Sequence, residues 1–182
     1  GWAVNQAMPS TLYSFEDSTI EKLVIKINGA VFNYTIDKGY AILNKKWQKN
    51  DVVEVILPMQ IRRVIANASI KENINKVALQ RGPIIYCAEW VDNSSNVSGF
   101  FLPKKTNFTA SYNANLLNGV IVVTATAPKI ALKNEDQLEQ QNTKFTAIPY
   151  YAWANRGPSE MTVWIPYEKS AAKPMPAPTI AS

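Results

Sequence analysis

A chain of 182 residues that is 47% hydrophobic and 18% charged, with 11 prolines and 7 glycines, has the composition of a folded protein with one good core or two small ones, which excludes a disordered chain. Its net charge of +5 and pI near 9.2 raise nucleic-acid binding, but the lysines and arginines are scattered, the densest groups being Lys45, Lys46 and Lys49 and the pair Lys104 and Lys105. With no histidine and one cysteine, Cys87, the sequence has no internal disulfide, no imidazole base and too few ligands for a zinc site, so most hydrolytic and metal constellations are excluded.

The N-terminus GWAVNQAMP has no basic flank followed by an apolar stretch, and no apolar run approaches the roughly 20 residues of a membrane helix. From residue 22 the apolar residues recur with a period of two or as short β-branched runs, which predicts an all-β chain. Strands are expected at 22–28, 30–36, 39–44, 52–58 and 61–67, with Asn28-Gly29 as the turn of the first hairpin. A second set is expected at 76–80, 83–90, 99–103, 107–112, 119–127, 144–155 and 160–166. Many short strands with a turn signal about every ten residues indicate two consecutive antiparallel β-sandwich modules.

The polar stretch 67–76, NASIKENINK, is the expected boundary, giving modules at 1–67 and 68–169. The first set offers few strands for a sandwich, so the first module is expected to be truncated at its start or to use a smaller sheet. Residues 129–143 are expected to form a loop with a helical turn. Residues 170–182, rich in proline and small side chains, read as a flexible tail.

The stretch KVALQRGPIIYCAEW, residues 76–90, holds Cys87 close to Glu89 and Arg81. Cys87 and Glu89 are two apart in one strand and share a face, with Tyr86, Ala88 and Trp90 on the other. A nucleophilic thiolate needs a histidine, a metal or a helix N-terminus, and none is at hand, so Cys87 reads as a core thiol. The tripeptide Arg-Gly-Pro occurs twice; the first copy, 81–83, is expected to kink a strand and the second, 156–158, to turn a hairpin. Arg81 and Arg156 are candidate sugar or anion contacts, against a structural reading that pairs them with carboxylates such as Glu89 and Glu160. Trp47 and Trp153, with Trp164, Tyr150 and Tyr151, could form a sugar-stacking platform or belong to the core. Glu135, Asp136 and Glu139 read as a solvated acidic face rather than a glycosidase pair, which must confront each other across a cleft. Five Asn-x-Ser/Thr sequons, at Asn33, Asn67, Asn93, Asn96 and Asn107, carry meaning only in a eukaryotic secretory pathway.

Three phrases, at 45–67 (KKWQKNDVVEVILPMQIRRVIAN), 76–89 (KVALQRGPIIYCAE) and 147–166 (AIPYYAWANRGPSEMTVWIP), closely resemble the C-terminal β-sandwich region of bacterial glycoside hydrolases of family 127, the β-L-arabinofuranosidase family. The opening Gly-Trp-Ala, Asn28-Gly29 and Gly39-Tyr40 resemble that family's first sandwich, so the resemblance spans about residues 1–166. Asn50 departs from it, standing where glycine is expected before Asp51. The resemblance implies that catalysis belongs to an N-terminal (α/α)6 barrel with a glutamate acid/base and a zinc-bound cysteine, in motifs absent from this sequence. No catalytic, cofactor or metal-ligating residue is therefore carried over, and the implied role is a non-catalytic support for that barrel. A homodimer and a carbohydrate are further expected partners, nucleic acid and membrane are not, and the expected location is periplasmic or extracellular. The rival readings are a carbohydrate-binding module for plant-type glycans and a free-standing enzyme.

Overall fold

The computed structural model describes residues 6–7, 9–18, 21–94, 96–134 and 137–174, the side chain of Asn134 excepted. The opening Gly-Trp-Ala, the acidic pair Glu135 and Asp136, and the tail from 175 onward lie outside the described residues. Strand β1 (Tyr13–Phe15) is followed by β2 (Val24–Ile27) and β3 (Ala30–Val31), joined by Asn28 and Gly29 at φ of 52° and 82°. Two successive residues in the left-handed region make the type I′ turn that the Asn-Gly pair prescribes. Strand β6 (Val53–Ile56) pairs on the other edge of β2, giving a three-stranded sheet, while β4 (Thr35–Asp37) and β5 (Tyr40–Ile42) form a separate ribbon. The expected strand 30–36 is thus two strands. Asn50 takes φ of 70°, a conformation that asparagine shares with the expected glycine.

The main sheet has the order β1-β7-β8-β9-β12-β11-β10. Its members after β1 are β7 (Ile61–Ala66), β8 (Lys76–Arg81), β9 (Ile84–Glu89), β10 (Thr109–Asn113), β11 (Val120–Asn134) and β12 (Gln137–Pro149). Short strands β13 (Met161–Thr162) and β14 (Ile165–Pro166) pair with β9 and β8 respectively, bridging the two where they splay apart beyond the turn. Every pair is antiparallel and no long helix interrupts the described chain, so the fold is all-β.

The structure corrects several expectations. Strand β7, placed in the first module, pairs with β8 over Ile61–Val64, so the stretch 67–76 is a connection within the main sheet rather than a boundary between modules. Residues 129–143 are not a loop with a helical turn but the two arms of the long β11–β12 hairpin, paired from Val123↔Ala147 to Asn134↔Gln137 with one irregularity near its tip. The expected strand 144–155 stops at Pro149 and turns into a 3₁₀ helix, Tyr150–Ala152. Segment 99–103 makes only a bridge, Phe100↔Lys129, although Phe100, Phe101 and Leu102 are all buried. The Arg-Gly-Pro copies exchange roles: Gly82-Pro83 is the two-residue turn of the β8–β9 hairpin, with Gly82 at φ of 57°, and 156–158 is a bend in the segment leading to β13. The start of the expected flexible tail is held, since Lys173 donates its backbone N–H to Ser98 O at 3.1 Å.

The largest core gathers Val77, Leu79, Tyr86, Ala88, Val123, Phe145 and Ala147 from the sheet with Val97, Phe100 and Leu102 laid across it. Phe100 meets Phe145 edge-on, centroids 5.3 Å apart, the geometry that ring quadrupoles favour. Cys87, with Val120, Val122 and Ile148, belongs to a second cluster. Tyr86 and Ala88 therefore face one core and Cys87 another, as the alternation of β9 predicts.

Candidate functional site

The strand end 86–89 and the second Arg-Gly-Pro bend come together in a buried polar knot. The Arg156 guanidinium grips Asp92 with both nitrogens, Nη1 to Oδ1 at 2.7 Å and Nη2 to Oδ2 at 2.6 Å, and Nη2 also donates to Glu89 Oε2. Glu89 is fully buried, and its other oxygen accepts from the Ala154 N–H. Next to it, buried Asn93 donates to Glu89 O and Thr146 O and accepts from Thr146 N–H, tying β9 to β12. Lys129 closes the knot by donating to Asn93 O at 2.8 Å. Burial lowers the Lys129 pKa, while the hydrogen bonds to Asp92, followed by that to Glu89, raise that of Arg156. Of the two expected carboxylate partners, Glu89 pairs with Arg156, while Glu160 accepts from Val97 N–H.

This arrangement holds the chain and leaves no group free to react. The Cys87 thiol is fully buried and pushed up to about 12, by burial first and then by the negative charge of Glu89. At neutral pH it is a thiol, not a nucleophile. We predict that the folded chain resists a thiol-specific disulfide reagent at pH 8 and reacts stoichiometrically after denaturation; rapid labelling of the native chain would contradict this burial. Among the described residues no group of three or more Cys, Asp or Glu side chains could hold a metal ion.

The other candidates are dispersed. Arg81 ends β8 beside the hydroxyl of Tyr86, and no carboxylate pairs with it among the described residues. Trp153 stacks on Tyr150, centroids 5.9 Å apart; Trp164 packs on Tyr13 instead, and Trp47 lies beside the Lys45 ammonium. Each of the three tryptophans thus has a different neighbour. The buried amide of Asn93 is committed to the knot, so that sequon offers no accessible acceptor in the fold.

Two further clusters are not visible as motifs in the sequence, the first because its partners lie 45 and 47 positions apart. Arg63 donates from Nε to Glu16 at 2.5 Å and from Nη1 to Leu102 O at 3.0 Å, and Arg62 pairs with Asp17 at 2.8 Å while covering the Phe15 ring at 3.6 Å. Together they fasten β1 to β7. In the small sheet, Asp51 accepts from Lys45 Nζ, Gln48 N–H and Asn28 Nδ2 at 2.7–2.8 Å, and these donors, Lys45 foremost, lower its pKa to about 2. Because the folded pKa is depressed, this contribution to stability is complete above pH about 4 and disappears as pH falls through about 2. An NMR titration of Asp51 is predicted to show a midpoint near 2 in the unaltered chain, returning toward 3.8 in Lys45→Met.

Fold and site together define an all-β domain of antiparallel sheets whose cysteine, carboxylates and arginine serve its own architecture. The model of the glycoside hydrolase family 127 C-terminal domain matches residues 61–166, which is the main sheet from β7 through β14. The chain belongs to that family, as a non-catalytic part of it. It is 26% identical to a non-reducing end β-L-arabinofuranosidase of Bifidobacterium longum subsp. longum over 152 residues, covering 77% of this chain and 23% of that protein. A solved family 127 β-arabinofuranosidase superposes with TM-score 0.89 at 37% identity, over 97% of this chain and 28% of its own. The family 127 β-L-arabinofuranosidase of Geobacillus stearothermophilus T6 gives TM-score 0.72 at 37% identity, over 85% of this chain and 26% of its own. This chain thus spans about a quarter of the length of these relatives.

Proposed function

We propose that this chain is the C-terminal brace of a bacterial, exported glycoside hydrolase acting on β-L-arabinofuranosides, and that residues 31–57 seat it against an N-terminal catalytic (α/α)6 barrel. The carrying observation is where the apolar surface lies. More than half of the large hydrophobic side chains left exposed among the described residues fall within 31–57, including Val31, Tyr40, Trp47, Val52, Val55 and Leu57. Register sharpens the point: Val53 and Val55 stand opposite Ile27 and Ile25 and share their face, yet the isoleucines are buried and the valines are open. A sheet face that is covered over one strand and bare over the next is an interface. The occupant is the remaining polypeptide, because relatives of this family are about four times as long and all three of those described above carry arabinofuranosidase activity in their names.

On this reading Trp47 is a contact for the barrel rather than for sugar, zinc belongs with the barrel and not with Cys87, and self-association uses what the barrel contact leaves open. Hydrolysis of an aryl β-L-arabinofuranoside tests it. No turnover is expected from the 182-residue chain, and turnover is expected from a polypeptide extended by its N-terminal part. Turnover by the short chain that survives Cys87→Ala would overturn it.

A further inference from the structure

Arg81 stands opposite Ile84 across the Gly82-Pro83 turn, so Arg81, Ile84 and Tyr86 share one face. The sheet register carries that face onward, Tyr86 lying opposite Pro149 and, two strands further, Ile121 opposite Tyr112. Here the sheet opens into a groove of about 220 Å³ whose lining includes Arg81, Tyr86, Tyr112, Gly119 and Tyr151. None of its lining residues is a carboxylate. The neighbour of the Arg81 guanidinium is a neutral phenol, its Nε is buried without an acceptor among the described residues, and Tyr86 is held in place by donating to Ile121 O at 3.1 Å. Tyr112 and Tyr151 are mostly exposed. Gly119, at φ of 95°, sets the position of one of them: any Cβ there would overlap the Tyr112 hydroxyl.

We propose that this groove binds a uronate-bearing saccharide, with the carboxylate on Arg81 and the sugar ring against Tyr112 and Tyr151. A guanidinium with no carboxylate paired to it among the described residues matches the planar carboxylate in charge and in fork geometry. Tyrosine rings supply amphipathic faces for the C–H side of a sugar. The volume is below the roughly 300 Å³ at which pockets begin to enclose drug-sized molecules, which suits a single ring. None of these residues lies in 31–57, so the groove and the brace surface stand or fall separately.

The test is an amide-resolved NMR titration of the whole 182-residue chain with galacturonate, with galactose and acetate as the neutral-sugar and bare-anion controls. Saturable shifts at Tyr112, Gly119, Val120 and Ile121 are expected with galacturonate, with affinity about tenfold above either control. Arg81→Gln and Tyr112→Ala are each expected to lower that affinity about tenfold; if Arg81→Gln disturbs the adjoining turn, Tyr112→Ala decides, because its exposed side chain can be removed without loss of core. Absence of shifts at these amides, equal binding of acetate or galactose, or undiminished affinity in a folded Tyr112→Ala would overturn the proposal.

Discussion

Arg156→Ala is expected to destabilise the chain by about 3–5 kcal/mol, because it leaves the buried Glu89 carboxylate without its cation and strips Asp92 of a two-pronged partner. The loss exceeds that of an exposed ion pair, about 0–1 kcal/mol, because Glu89 has no access to water that could replace the guanidinium. Arg156→Lys is expected to fall between the two, since an ammonium restores charge but not the paired geometry. Equilibrium urea unfolding checks the series. A loss below about 1 kcal/mol in Arg156→Ala would mean that the knot does not hold the segment before β13 against β9.

Phe145→Ala is expected to cost about 3–5 kcal/mol by a different route, the cavity left in the largest core. Phe145 is fully buried and its ring meets Phe100, whose segment is tied down by one β-bridge and by single bonds such as that of Leu102 N–H to Pro166 O. Emptying the space beneath segment 99–102 is therefore expected to release it as well. Hydrogen exchange should report this as lost protection at Phe101 N–H and Leu102 N–H, which donate to Pro128 O and Pro166 O. Tyr112→Ala, on the exposed edge strand, is the control and is expected to change stability by no more than about 0.5 kcal/mol.

What the sequence discloses and what it hides follow from how local each determinant is. The β2–β3 turn is legible because Asn28 and Gly29 carry their own conformational preference. The two faces of β9 are legible because period two needs only neighbouring residues. The β11–β12 hairpin was not legible beyond Ala127. Pro128 signals a break, and Gln137–Asn142 is exposed on both faces, so the ladder there is held by backbone pairing without apolar alternation. For Arg156 the sequence offers Glu89 as one candidate partner but gives no sign of Asp92, because the two lie 67 and 64 positions away and only the fold brings them to the guanidinium. The attachment of β7 to the main sheet was hidden for the same reason. A polar connection looks the same whether it separates two domains or crosses between two paired strands, and only the Ile61↔Arg81 register distinguishes them.

The most direct test of the brace is hydroxyl-radical footprinting of residues 31–57 in the 182-residue chain and in a polypeptide extended by its N-terminal part. The account predicts that Tyr40, Trp47, Val53 and Val55 are oxidised readily in the short chain and are protected severalfold in the long one, while Tyr112 is oxidised equally in both. Equal oxidation of the 31–57 side chains in the two would contradict it.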